Sequence, residues 1–251
     1  MSHVLEARIT NTNHGIFIVS GLCMTHETPT YRVMGDQALL VELGDGISPE
    51  VHRRVLDLYI SLVEHPVEGV VEAVPAYRSV LVIYDPLCVE MSVLQDRIED
   101  RRVSAASTAL SEKIPKEIPV LYGGRYGPDL DEVAAFHGLS PEEVVRLHTS
   151  LEFRVYMIGF IPGFPYMGEL PETLATPRRE TPRTSVARGS VGIAENQTGI
   201  YPMESPGGWQ IIGRTPLSLF DAEKTPPSTL VLGDSVQFVS ISEEEFRHWR
   251  P

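Results

Sequence analysis

From Tyr31 onward the chain alternates short apolar runs with turn residues, and the period of those runs changes along its length. Tyr31 to Val33 and Ala38 to Leu43 read as two strands around the turn Gly35-Asp36-Gln37. Ser48-Pro49-Glu50 opens a helix: Ser caps it, Pro suits the first turn, and an acid lies beside it. Its apolar positions Val51, Val55, Leu58 and Leu62 share one helical face, and the pattern stops before Pro66. Val67 to Val74 and Ser79 to Tyr84 are β-rich segments joined by Pro75-Ala76-Tyr77-Arg78. Met91 to about Arg102, carrying Leu94 and Ile98, is a second amphipathic helix. The order ββαββα predicts an α+β layer with helices on one face of a sheet.

The pattern then breaks. Small and polar residues from Ser104 to Lys116 read as a linker, so the expected division is an N-terminal extension (1–29), an α+β domain (30–104), a linker (105–116) and a second domain (117–251). Ile118 to Tyr122 is a strand, and Gly123-Gly124-Arg125-Tyr126-Gly127 leads into a helix capped by Asp129, with Glu132 completing a capping-box-like pair. Ser140-Pro141-Glu142-Glu143 starts another helix reaching Thr149. Glu152 to Ile158, Ser185 to Ala194, Trp209 to Gly213, Leu230 to Leu232 and Ser235 to Ile241 are short β pieces between turns. Such a run predicts a barrel or sandwich.

Composition narrows the class. A net charge of −13 over 251 residues argues against a general nucleic-acid binder, which needs a basic footprint. Cys23 and Cys88 have neither metal-like spacing nor a disulfide framework, which fits a reducing compartment, the cytoplasm. Ile16 to Met24 has the length of a signal-peptide core. It lacks a basic stretch before it and a small-residue cleavage pattern after it, so it reads as a tail, with Met24 as an alternative start. No apolar run has the length of a membrane span.

Gly159 to Asp221 is where the chemistry is concentrated. Gly and Pro recur every few residues, so turns and fixed φ angles set the backbone. Gly163, Phe164, Tyr166, Gly207, Gly208 and Trp209 read as loop-shaping residues, with Trp209 packed rather than touching ligand. Arg178, Arg179, Arg183 and Arg188 crowd together in an acidic chain. They read either as an anion site, since a guanidinium forks onto carboxylate or phosphate, or as partners of Glu180, Glu195 and Glu204 that tie down loops. Gln197, Thr198, Tyr201 and Arg214 complete the set of binding candidates. The Gly123–Gly127 loop lacks the Lys-Ser/Thr ending of a P-loop and reads as a plain strand-to-helix turn. No nucleophile elbow surrounds Ser185, Ser190 or Ser205, no pair among His52, His65, His137 and His148 has metal spacing, and catalytic residues stay unassigned.

These blocks resemble a known family. Gly159-Phe160-Ile161-Pro162-Gly163-Phe164-Pro165-Tyr166, Thr176-Pro177-Arg178-Arg179, Gln197-Thr198-Gly199-Ile200-Tyr201-Pro202, Ser205-Pro206-Gly207-Gly208-Trp209 and Ile212-Gly213-Arg214-Thr215-Pro216 are similar to the carboxyltransferase-domain family called allophanate hydrolase subunit 1. Tyr31 to Leu40 fits the family's start, so the resemblance runs from Tyr31 to the C-terminus. It implies a ββαββα domain followed by a cyclophilin-like β-barrel. It also implies a second carboxyltransferase-domain subunit as partner, with a lactam-utilisation-type subunit as a further one. The activity implied is that of a subunit in an ATP-dependent 5-oxoprolinase, with little activity alone and ATP used by the complex. Inhibition of a sensor histidine kinase and allophanate hydrolysis are the alternatives within the same family. The family commonly has glycine where Glu195-Asn196 stand and a small residue at Arg188.

Overall fold

The computed structural model describes residues 25–105 and 114–250. Most of the expected N-terminal extension, including Ile16 to Met24 and Cys23, and most of the expected linker lie outside the described residues.

The first half forms a four-stranded antiparallel sheet carrying two helices. Its elements are β1 (Thr25–Val33), β2 (Ala38–Gly44), α1 (Pro49–Glu64), β3 (Val70–Pro75), β4 (Ser79–Tyr84) and α2 (Met91–Ala105). The strand order is β1-β2-β4-β3, which keeps the hydrogen-bonded hairpins of the sequence order on the two edges. Alternation along β2 and β4 points Leu39, Val41, Leu43, Val80, Val82 and Tyr84 to one face. Val51, Val55, Leu58 and Leu62 of α1 and Leu94 and Ile98 of α2 close that face into one core. Each such side chain contributes about 1.5–3 kcal/mol on burial. Ser48 accepts the Val51 N–H at the start of α1, as the Ser-Pro-Glu signal requires.

The second half is a closed seven-strand barrel, so the fold is α+β. Its strands are β5 (Lys116–Tyr122), β6 (Glu152–Ile158), β7 (Pro165–Gly168), β9 (Ser190–Ala194), β10 (Gln197–Ile200), β12 (Gln210–Arg214) and β13 (Ser235–Ser240). They close in the order β10-β7-β6-β13-β5-β12-β9. Between them come α3 (Leu130–His137), α4 (Pro141–Thr149) and a separate ribbon of β8 (Arg183–Val186) with β11 (Ser205–Gly207). α5 (Glu243–His248) follows the last strand. Ile118, Val120, Phe153, Val155, Met167, Ile193, Ile212 and Phe238 fill the interior.

Several expectations change. The β piece from Ser185 to Ala194 is two strands, because a turn in which Ser190 N–H bonds the Ala187 carbonyl reverses the chain. Leu230 to Leu232 is not a strand: Leu230 is buried as a plug while Asp234 N–H bonds the Val231 carbonyl in a tight turn. Strands β7, β10 and β11 and helix α5 carry no periodic signal, being three to six residues long.

The two halves meet along α1. His52 is fully buried, and its Nε2–H donates to the Tyr156 carbonyl of β6 at 2.8 Å. Its ring also packs edge-on against Tyr156, centroids 4.6 Å apart. Burial, with Arg154 acting in the same direction, pulls the His52 pKa down to about 4. The imidazole is neutral at physiological pH, which fixes it as a single donor.

Candidate functional site

The loop after β6, strand β7 and the residues just after β10 and just before β12 form an aromatic cluster. Phe164 is its hub, with ring centroids 4.8 Å from Tyr166, 5.1 Å from Tyr201 and 5.4 Å from Trp209. Edge-on and tilted ring pairs of this kind are favourable and directional, so the cluster is a rigid floor. Two glycines permit it. Gly163 has φ 81° and lies where a Cβ would come within 2.8 Å of Phe220. At Gly207 a Cβ would stand 2.3 Å from the Tyr201 hydroxyl. Gly208, also expected to shape the loop, has ordinary space around a Cβ; its carbonyl matters instead, accepting the Arg179 N–H at 2.8 Å. Trp209 is 5% exposed and packs, as expected.

The arginines divide into two groups. Arg179 Nη1 and Arg183 Nη2 both donate to Oδ1 of Asp129, at 2.9 and 2.6 Å. Asp129 Oδ2 accepts the Ile211 N–H of β12 at 2.6 Å, and the Asp129 N–H returns to the Ile211 carbonyl at 2.9 Å. This carboxylate is 2% exposed. Asp129 stands before α3, but its side chain makes no capping bond, which corrects the capping-box expectation. Burial beside two guanidiniums captures the carboxylate instead, because an ion pair with added hydrogen bonds outweighs one cap. Arg179 and Arg183 are therefore loop clamps, and their partner is Asp129 rather than Glu180, Glu195 or Glu204.

Arg178 differs. It is exposed and has no ion pair among the described residues. Its charge acts on Tyr77, Tyr166 and Tyr201, favouring their ionised forms. Burial outweighs that charge and raises all three above their ordinary pKa, so the hydroxyls stay protonated. Arg214 is engaged elsewhere, its guanidinium 5.5 Å above the Tyr126 ring, and Arg125 lies 4.7 Å from the same ring. Of the clustered arginines, Arg179 and Arg183 are thus taken up by Asp129, while Arg178 and Arg188 are exposed.

Gln197 and Thr198 are adjacent on β10 and point to opposite sides, as strand geometry demands. Thr198 is fully buried inside the barrel. Its hydroxyl donates to the Gly192 carbonyl at 3.1 Å, so it accepts from His148 Nε2–H at 3.0 Å, and His148 Nδ1 accepts the Tyr122 hydroxyl at 2.8 Å. Burial drives the His148 pKa down to about 3. Thr198 is a core residue, which removes it from the ligand-facing set. Tyr201 is 1% exposed and belongs to the floor. Gln197 faces outward, and its Oε1 accepts the Tyr77 hydroxyl at 2.9 Å.

Tyr77 is not visible as a site residue in the sequence. It sits in the β3–β4 turn, a hundred and twenty positions from Gln197, and only the docking of the two halves brings it there. Its ring lies 5.8 Å from Tyr156 and 6.1 Å from Tyr166. The candidate site is therefore where that turn meets the barrel, at Tyr77, Tyr166 and Gln197, with the charge of Arg178 acting on the two phenols. Tyr156 also lines a separate pocket of about 240 Å³ with Arg154, Glu152 and Glu169.

Other chemistry is absent among the described residues. No group of three or more His, Cys, Asp or Glu is placed to hold a metal. The histidines at hand are committed to Tyr156, Thr176, Tyr122 and Thr198, and none faces Ser185, Ser190 or Ser205. In the Gly123–Gly127 loop the N–H groups of Gly123, Tyr126 and Gly127 bond to carbonyls of Ile212 and Gly123, which makes it a closed turn. Glu195 adopts φ 52°, in the left-handed region that favours glycine. No helix among the described residues is long and apolar enough to cross a membrane.

Known proteins share this architecture. The carboxyltransferase domain, subdomain C and D, matches residues 29–230. A 5-oxoprolinase subunit of Bacillus subtilis is 42% identical over 236 residues, covering 89% of this chain and 98% of the relative. Among solved structures, TTHA0988 superposes with a TM-score of 0.73 at 37% identity, covering 82% of this chain and 40% of the other. The urea amidolyase of Lachancea kluyveri is more distant, 27% identical over 86% of this chain and 13% of the relative. A family match over residues 29–230, with 42% identity to a relative across 98% of its length, makes this protein a member of the carboxyltransferase-domain family.

Proposed function

We propose that this chain is a subunit of an ATP-dependent 5-oxoprolinase, a complex that opens 5-oxo-L-proline to L-glutamate. The observation that carries it is the 42% identity to the Bacillus subtilis 5-oxoprolinase subunit across 98% of that relative's length. The urea amidolyase likeness is lower in identity and confined to 13% of that protein, so 5-oxoproline is the better substrate reading than allophanate. In this reading the partners are a second carboxyltransferase-domain subunit and a lactam-utilisation-type subunit.

The chemistry explains why such a subunit needs partners. A lactam carbonyl is a poor electrophile, and water attacks it slowly. Phosphoryl transfer from ATP to the lactam oxygen would release ADP and activate the carbon; one water would add there, the ring C–N bond would break to leave the amine and an acyl phosphate, and a second water would release phosphate and the new carboxylate. The site described above offers hydrogen-bond donors and one cation, and no nucleophile–base pair of its own among the described residues. Arg178 would hold the carboxylate of 5-oxoproline, which is anionic at neutral pH, through charge-assisted hydrogen bonds. Tyr166, seated on the buried Phe164, would pack against the apolar face of the small ring.

The test is ATP-dependent glutamate release from 5-oxoproline by this chain alone and with its co-purified native partners. Release by the complex and little by the chain alone is the expected result. A stable complex that consumes no ATP and releases no glutamate would overturn the assignment.

A further inference from the structure

Tyr77 belongs to the sheet half, whereas the residues it touches, Gln197, Tyr156 and Tyr166, belong to the barrel half. Its turn is pinned. Ala76 N–H bonds the Ser79 carbonyl, Leu43 N–H bonds the Arg78 carbonyl, and Arg78 Nη1 donates to the Gly44 carbonyl at 2.9 Å. Arg78 Nη2 also pairs with the buried Glu42 at 2.9 Å. The Tyr77 ring is then held between Tyr156 and Tyr166. Opposite it, Gln197 is held by pairing of β10 with both β7 and β9. Two rigid elements thus meet at one hydrogen bond.

That bond has a direction. A primary carboxamide has one acceptor end and one donor end, and a side chain free to flip presents either. The Tyr77 phenol is protonated and occupies the Oε1 end. Among the described residues nothing accepts from Nε2 of Gln197. In this arrangement the carboxamide presents its two N–H donors, and the charge of Arg178 acts on the same phenol. Donors of this kind read an acceptor oxygen, and an arginine next to them reads an acid on the same molecule.

We propose that Tyr77 is a positioning residue that fixes the Gln197 carboxamide so that Nε2–H donates to the carbonyl oxygen of a small cyclic amide whose carboxylate lies on Arg178. This rests on the 5-oxoprolinase reading for its substrate, while the Tyr77–Gln197 link stands by itself. Developing negative charge on a lactam oxygen is stabilised by a donor already aimed at it, because no reorganisation is needed during the reaction. Tyr77 would act only through Gln197.

Two measurements decide it. In the isolated full chain labelled with nitrogen-15, the Gln197 side-chain amide pair is identified by its disappearance in Gln197→Glu. Tyr77→Phe, with folding checked by the remaining amide spectrum, is expected to move that pair to the position of an unrestrained glutamine; an unmoved pair would overturn the link. In the complex with its native partners, Tyr77→Phe is expected to lower kcat/KM for 5-oxoproline about tenfold. Adding Tyr77→Phe to Gln197→Ala is expected to cost nothing further, whereas additive losses would overturn the positioning role. If the wild-type complex releases no glutamate, the substrate reading fails, and the amide spectrum still decides whether Tyr77 holds Gln197.

Discussion

Arg178 and Arg179 are adjacent, carry the same charge and lie in one loop, yet only Arg179 has a carboxylate partner among the described residues. Gln197 and Thr198 repeat the contrast on β10, one bonded to Tyr77 and the other closed inside the barrel. In each pair one neighbour is tied to partners within the fold and the other keeps donors to spare. The motif blocks of this family thus hold two kinds of residue side by side, those that build the wall and those that use it. Residue type does not separate them; the partners each one finds do.

The wall should fail first when its charges are disturbed. His148 and His52 are neutral when folded, with pKa values of about 3 and about 4 against 6.5 for the free side chain. Above pH 6.5 neither state takes up the proton and stability is at its plateau; below it the unfolded chain gains protons that the folded chain refuses. Stability should therefore fall from pH 6.5 downward, by about 2 kcal/mol for each histidine at pH 5. Urea midpoints at pH 7.5 and pH 5 measure this, and a flat profile would mean that the two imidazoles are solvated.

Next is the Asp129 clamp. Asp129→Ala would leave Arg179 and Arg183 without their shared partner and the Ile211 N–H unsatisfied, a loss of about 3 kcal/mol by urea unfolding. Thr198→Val would break the bridge between His148 and the Gly192 carbonyl at nearly constant volume, costing about 2 kcal/mol. Arg178→Ala should change stability least, within about 0.5 kcal/mol. In the reconstituted complex it should nonetheless lower kcat/KM about thirtyfold, mostly through KM, since a charge-assisted contact to a substrate carboxylate would be gone. The reverse order, with Arg178→Ala unfolding the protein and Asp129→Ala sparing it, would dissolve the distinction between wall and user.

Much of this is legible in the chain itself. Ser48-Pro49-Glu50 and the spacing of Val51, Val55, Leu58 and Leu62 specify α1 with its start and its buried face, and the structure has both. The arginine-rich loop is recognisable, but its sorting is not. Asp129 lies fifty positions from Arg179, and its local context, ahead of a helix with Glu132 in the first turn, argues for a cap. Thr198 looks like a donor for ligand because its strand is four residues long, too short for alternation to declare which side is inside. Tyr77 gives no signal at all, being one tyrosine in a turn.

By itself, then, the sequence determined the local elements, the ββαββα order, the concentration of shape-setting Gly and Pro between Gly159 and Asp221, and the resemblance that those blocks carry. These are short-range matters of φ preference, capping and apolar period, which act within a few residues. Only the tertiary structure decided that Arg179 and Arg183 are spent on Asp129 while Arg178 stays exposed, which of Gln197 and Thr198 is inside, and that Tyr77 bonds Gln197. Those outcomes depend on closing the barrel and docking α1 against it. Burial there removes water from some polar groups and forces them to find partners far along the chain, while leaving their neighbours exposed.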